Sequence, residues 1–287
     1  MLRKVFLKIL YLLPLFLIIC LCKSWYIASL GFKMAKISPG SFLFYTWQKN
    51  ISCLTEEKRD EVLTILDQPF YFLGRGQQAY AFESADGQYV IKFLRMPKYN
   101  PPFWIKLPLL PVAIAAKGEM VSCRRDSFWK SCQRSVSLAE KELKNEMGLI
   151  FCHLEQTDDM QKFIVIHDRL KVAHTVDLDR YAFILQRKME PIAPYLLDFY
   201  EKNDHEEIQK TLTSFKEAIT YRSNKKIRNK NRNCMRNMGI MDGKVQEFDV
   251  GELRLDPTID NIVEMQKSTK QLKKWLEVNM PEFASSL

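Results

Sequence analysis

The sequence predicts an α+β chain, β-rich first and helical later, preceded by one apolar N-terminal segment. Three observations predict it. Phe70 to Arg95, FYFLGRGQQAYAFESADGQYVIKFLR, reads as strand, glycine loop, strand, hairpin and strand. Its Asp86-Gly87 pair is a hairpin signal between two apolar runs. Two later stretches carry apolar residues at helical spacing: Leu143, Met147, Ile150 and Leu154, then Ile208, Leu212, Phe215 and Ile219. The apolar N-terminus, residues 1–32, stands apart from both.

Within MLRKVFLKILYLLPLFLIICLCKSWYIASLGF, Ile9 to Cys22 is uncharged and bounded by Lys8 and Lys23. Fourteen helical residues reach about 21 Å, short of a hydrocarbon core of about 30 Å. Snorkelling of the two lysines and the apolar flanks Val5–Leu7 and Trp25–Ile27 extend that reach. The expectation is an uncleaved transmembrane anchor. The alternative is a secretory signal with Arg3 and Lys4 as its basic region and Ser29-Leu30-Gly31 as a poor cleavage site.

The 287 residues suffice for one large domain or two small ones plus an appendage. Hydrophobic content of 47% and charged content of 27% are those of a folded chain, not a disordered one. The net charge of +9 is concentrated: residues 221–237 hold Arg222, Lys225, Lys226, Arg228, Lys230, Arg232 and Arg236 with no acid. That segment is expected to meet anionic lipid or an acidic protein partner. Only Tyr221 is aromatic there, which argues against specific nucleic-acid binding. Seven cysteines without a Cys-x-x-Cys pair, and four histidines, exclude a usual structural zinc site. Reduced thiols suit a domain on the cytoplasmic side.

Residues 33–68 read as a helical connector, with Thr55 capping a helix that starts with Glu56, Glu57 and Asp60. Residues 69–189 form the β-rich unit. Val90, Lys92 and Leu94 share one face of its third strand, so Lys92 needs a partner or a path to solvent. An irregular, Pro-rich and then basic insertion covers 97–134, and a helix follows from Ser135 to about Gln156 with Glu146 beside its apolar stripe. Strands are expected at Phe163–Ile166 or the residues just after, and at Tyr181–Gln186. Residues 190–287 are the helical unit: Asp204 or His205 starts a helix to about Tyr221, Asp242-Gly243 makes a second hairpin, and Thr258–Leu276 is a final helix.

The order of glycine loop, strand Lys, helix Glu, basic loop, hairpin and Asp249-Val250-Gly251 resembles the protein-kinase-like superfamily over roughly Phe70 to Leu255. The resemblance implies a bilobal fold, with a β-rich N-lobe and a reduced helical C-lobe. It implies that Gly74, Gly76 and Ala79 form the glycine-rich loop over the phosphates of ATP, and that Lys92 neutralises those phosphates and pairs with Glu146 (Glu142 as runner-up). ILQRKMEP would be the hinge against adenine. Asn237 and Asp249, twelve residues apart across a hairpin, would hold Mg2+.

The departures matter as much. The catalytic Asp of the family lies five residues before the Asn, where this chain has Arg232; the amides Asn229, Asn231 and Asn233 around it cannot act as a general base. Too little chain follows Gly251 for an activation segment and a full helical lobe. The reading is therefore a membrane-anchored nucleotide-binding protein that is a pseudokinase or has an unconventional transfer site. If it is an enzyme, it is an ATP-dependent phosphotransferase. The alternative is a non-catalytic membrane-associated scaffold using the basic loop. Gly-x-Ser-x-Gly, His-Glu-x-x-His and P-loop motifs are absent, and none of His153, His167, His174 and His205 has a marked nucleophile partner.

Overall fold

The computed structural model describes residues 14, 16–27, 29, 31–38, 54–96, 111–231 and 233–287. Residues 16–27 are helical and expose Phe16, Leu17, Ile18 and Leu21. Among the described residues no helix is long and apolar enough to cross a membrane. The anchor expected in residues 1–32 lies partly outside them. The chain is then pinned to the sheet. Phe32 packs edge-on against Tyr80 and Phe82, and the Tyr80 hydroxyl donates to the Gly31 carbonyl at 2.9 Å.

The first helix, α1 (Glu56–Ile65), starts at Thr55, whose hydroxyl accepts from the Lys58 amide. Three strands follow: β1 (Phe70–Arg75), β2 (Ala79–Ser84) and β3 (Tyr89–Leu94). They join β4 (Leu149–His153), β5 (Phe163–His167), β6 (Ala173–Asp177) and β7 (Phe183–Arg187) in one curled sheet of order β4-β7-β3-β2-β1-β5-β6. All neighbours are antiparallel except β1 and β5. One face buries aromatic side chains, among them Phe70, Phe82, Phe93 and Phe151, beneath α1. The other face packs on a long helix, α2 (Val112–Glu142), through Trp129, Cys132, Val136 and Ala139.

Helix α2 corrects two expectations. The described half of the 97–134 insertion is helical, not irregular; residues 97–110 lie outside the described chain. The helix also ends at Glu142, not near Gln156. Residues 143–148 turn, Gly148 adopts a positive φ of 57°, and residues 149–153 form a strand. All five residues of β4 are buried. A strand covered on both faces shows no alternation, so its apolar run imitates a helical stripe.

The helical unit begins with β8 (Glu190–Pro191) and α3 (Ile192–Glu201). Helix α4 (His205–Asn224) is capped by Asp204, which accepts from the Glu207 amide. Its expected stripe, Ile208, Leu212, Phe215 and Ile219, is buried against Leu272, Leu276 and Phe283. After β9 (Ile227–Asn229), the hairpin β10 (Met238–Met241) and β11 (Lys244–Glu247) turns at Asp242-Gly243, with φ values of 52° and 70°. Two consecutive positive φ angles suit a type I′ turn, which Asp-Gly favours. Then β12 (Leu253–Leu255) pairs with β9, and α5 (Asn261–Asn279) closes the chain's packing.

Gly239 in β10 lies against the strand that links the two units. A Cβ there would sit 2.5 Å from the Glu190 carbonyl oxygen, a backbone atom that cannot swing aside. Gly239→Ala is expected to cost about 1–3 kcal/mol. A melting curve no lower than wild type would show that β8 gives way freely.

Candidate functional site

Lys92 sits mid-way along β3, opposite Ala81 on β2 and Ile184 on β7. Sheet pairing therefore fixes its backbone on both sides. Its ammonium donates to the carbonyl of Phe248 at 2.6 Å and lies 5.0 Å from the Phe248 ring centroid. Burial pushes its pKa down to about 8, while the charges of Asp249 and Cys152 pull the other way. The strand Lys and the Asp-Val-Gly stretch, 157 positions apart in sequence, are thus neighbours in space.

Asp249 follows β11. Its Oδ1 accepts from the Gly251 amide at 3.1 Å, and its Oδ2 accepts from Asn231 Nδ2 at 3.3 Å. Asn237 ends a four-residue helical turn, Cys234–Asn237, and is buried. Its carbonyl accepts from the Phe248 amide at 2.8 Å, and its Nδ2 donates to the Asn231 carbonyl at 3.4 Å. Asn231 therefore ties the two expected magnesium ligands together. One carboxylate and one amide oxygen suit a hard cation whose remaining ligands are phosphate oxygens and water. Among the described residues no group of three or more His, Cys, Asp or Glu side chains could hold a metal ion by itself.

The glycine loop crosses above. Gly76 donates to the Ala79 carbonyl at 2.9 Å, and Arg95 grips the carbonyls of Gly76 and Gln77 at 3.1 and 3.2 Å. Gly74 has open space where a side chain would begin. Gln78 bridges downward: its Nε2 donates to the Gly251 carbonyl and to Glu252, both at 3.4 Å. Ala79 packs on the core beneath α2.

The helix acid is placed differently from expectation. Glu146 lies in the turn after α2, and among the described residues no ion pair joins it to Lys92. The runner-up, Glu142, faces Lys225 at 3.6 Å. The buried residues of α2 are Gly118, Trp129, Cys132, Ser135, Val136 and Ala139, none of them a carboxylate. Ser135 does other work there: its hydroxyl donates to the Val250 carbonyl and accepts from the Leu253 amide at 2.7 Å. The helix thus clamps the backbone after Asp249 rather than the lysine. Gln78 and Ser135 carry no motif signature, since their bonds reach backbone more than a hundred residues away; the clamping role of Asn231 rests on nearer partners, Asn237 and Asp249.

Much of the basic segment is built into the fold. Arg222 bonds Glu247 and Glu264 at 2.7 and 3.3 Å, and Arg228 meets Asp256 at 2.5 Å. Lys225 and Lys226 donate to the carbonyls of Glu142 and Ile259. Lys230 and Arg236 are exposed, and Arg232, at the expected base position, lies outside the described residues.

The architecture is mixed α+β, a curled seven-stranded sheet followed by a helical unit. No family model matches the chain, and no curated protein matches it. Twelve chains of solved structures do. One is WbdD in co-crystal with the kinase inhibitor LY294002, 13% identical, covering 74% of this chain and 39% of its own, with a TM-score of 0.36. This chain thus spans well under half the length of that structure.

Proposed function

We propose that the chain is a membrane-anchored, kinase-like protein that binds a magnesium–nucleotide complex between Lys92 and the Asn237–Asp249 pair, with little or no phosphoryl transfer. The observation that carries this reading is the lysine. An ammonium drawn into the fold, whose pKa stays lowered despite the Phe248 carbonyl and ring and the charges of Asp249 and Cys152, is suited to a phosphate. The charge of Asp249 acts on this lysine, and Asn237 is joined to Asp249 through Asn231, which supports a cation bound between them. The weak-transfer part rests on sequence: an arginine occupies the position where a general base would stand. The anchor rests on the apolar run Ile9–Cys22.

Isothermal titration of Mg-ATP into the full chain tests the proposal. Wild type is expected to bind saturably, and Asp249→Ala and Lys92→Ala at least tenfold more weakly, about 1.4 kcal/mol or more. Absent binding, or equal binding by wild type and both variants, removes the reading.

A further inference from the structure

A groove of about 920 Å³ runs between α2 and β12, beside Gln78 and Gly251. Five cations line it: Lys130, Arg134 and Lys141 from α2, Lys230 from the segment after β9, and Arg254 from β12. Two acids, Glu142 and Glu252, line it as well, so the groove carries a net charge of +3 (five minus two). Some of this charge is already engaged. Lys130 meets Asp126 at 2.9 Å, Lys141 meets Glu142 at 3.9 Å, and Arg254 meets Asp256 at 3.9 Å. All three remain about half or more exposed, with side-chain exposures of 55%, 80% and 49%. Pairs of that kind are weak and exchange readily for another carboxylate. Two exposed apolar side chains also line the groove, Phe128 at 43% and Leu255 at 63%.

Spacing narrows the ligand. On a helix rising about 1.5 Å per residue, Lys130 and Arg134 are about 6 Å apart along the axis, and Arg134 and Lys141 about 10 Å. An extended chain advances about 3.3 Å per residue. Carboxylates two residues apart, then three, would match the three α2 cations. From Phe128 to Lys141 the groove takes roughly six extended residues. A lone phosphate would engage one or two of the cations and leave Phe128 and Leu255 uncovered.

We propose that the groove between α2 and β12 docks an acidic, extended segment of a partner polypeptide, its carboxylates on the α2 cations and its apolar side chains on Phe128 and Leu255. The proposal goes beyond nucleotide binding and stands on separate residues. It also has a geometric consequence. Gln78 and Gly251 belong both to the groove and to the glycine loop–Asp249 contact, so a docked segment lies next to the proposed nucleotide site.

The test is fluorescence anisotropy with the full chain and a fluorescein-labelled eight-residue peptide with Glu at positions 2, 4 and 7, Leu at both ends and Ser elsewhere. Binding is expected at low ionic strength, falling steeply with added salt. The double variant Arg134→Glu, Lys141→Glu is expected to lose at least tenfold in affinity while keeping the wild-type melting temperature and Mg-ATP affinity. Equal affinity in the double variant overturns the proposal, as does absence of binding. So does a preference for phosphatidylserine vesicles over the peptide that the double variant abolishes, because the groove would then serve a membrane. If the peptide binds as expected but Mg-ATP does not, docking stands and the nucleotide reading falls.

Discussion

Lys92→Met is expected to melt higher than wild type at pH 7 while losing nucleotide binding. Burial holds the folded-state pKa at about 8, against 10.5 in an open chain, so charging this lysine is harder in the fold than out of it. A difference of that size corresponds to a cost on the order of 3 kcal/mol. Methionine has a similar length and no charge to desolvate. The gain is offset by about 1 kcal/mol, because the Phe248 carbonyl loses its donor and the Phe248 ring its cation. A net stabilisation of about 1–2 kcal/mol remains. The pH dependence follows from the same shift. The cost is fully present below about pH 8, where folded and unfolded lysine are both charged. Between about 8 and 10.5 the unfolded chain binds more protons than the folded one, so wild-type stability rises with pH. The advantage of the methionine variant should therefore shrink from pH 7 to pH 9.5. Thermal melts across that range decide the matter. A variant less stable than wild type at pH 7, or an advantage that ignores pH, would mean that Lys92 is a structural strut and not a group held ready for an anion.

The parts legible in the sequence are those written in local chemistry. Asp242-Gly243 announced its hairpin because two positive φ angles in a row exclude most other residues. Asp204 and the stripe Ile208, Leu212, Phe215 and Ile219 announced α4 because cap and period lie within one element. The Asp86-Gly87 pair likewise marks the turn between β2 and β3 within one local stretch. What failed was written elsewhere. Strand β4 is covered on both faces, so its apolar run shows no alternation and continues the helical spacing of Leu143 and Met147 past Gly148. Strand β6, Ala173–Asp177, buries only Val176 and gives almost no apolar pattern. Glu146 inherited its expected role from the mistaken helix. Ser135 and Gln78 act through backbone atoms 115 and 173 residues away, contacts that only tertiary structure creates. The basic run 221–237 shows the same limit. Its composition is that of a solvated face, yet Arg222 is among the more deeply buried charges of the fold.

Arg222→Ala is expected to destabilise the protein by about 3–5 kcal/mol, the usual consequence of removing one member of a buried ion pair. The arginine side chain is 7% exposed and stands between two carboxylates, Glu247 at 14% and Glu264 at 1%. Glu264 keeps Arg228 at 3.7 Å, whereas Glu247 is left with the Asn229 amide at 2.6 Å. Glu247 is therefore where the damage concentrates. Burial already raises its pKa, with Arg222 the main opposing influence. Without the arginine that value climbs further, and the folded chain then binds a proton that the unfolded chain does not at the same pH. Stability of the variant should consequently rise as pH falls from 7.5 to 5.5, narrowing its deficit against wild type. Glu247→Gln in the Arg222→Ala background is expected to recover part of the loss at pH 7.5 and to flatten the pH response, since a neutral amide needs no cation. The effect reaches the site because Glu247 ends β11 and Asp249 lies two residues on. A β11 end that shifts to hydrate its glutamate moves Asp249 away from Asn231. Urea or thermal unfolding at the two pH values measures the stability, and a deficit below 1 kcal/mol, or one that widens on acidification, would show that Glu247 reaches water without its arginine.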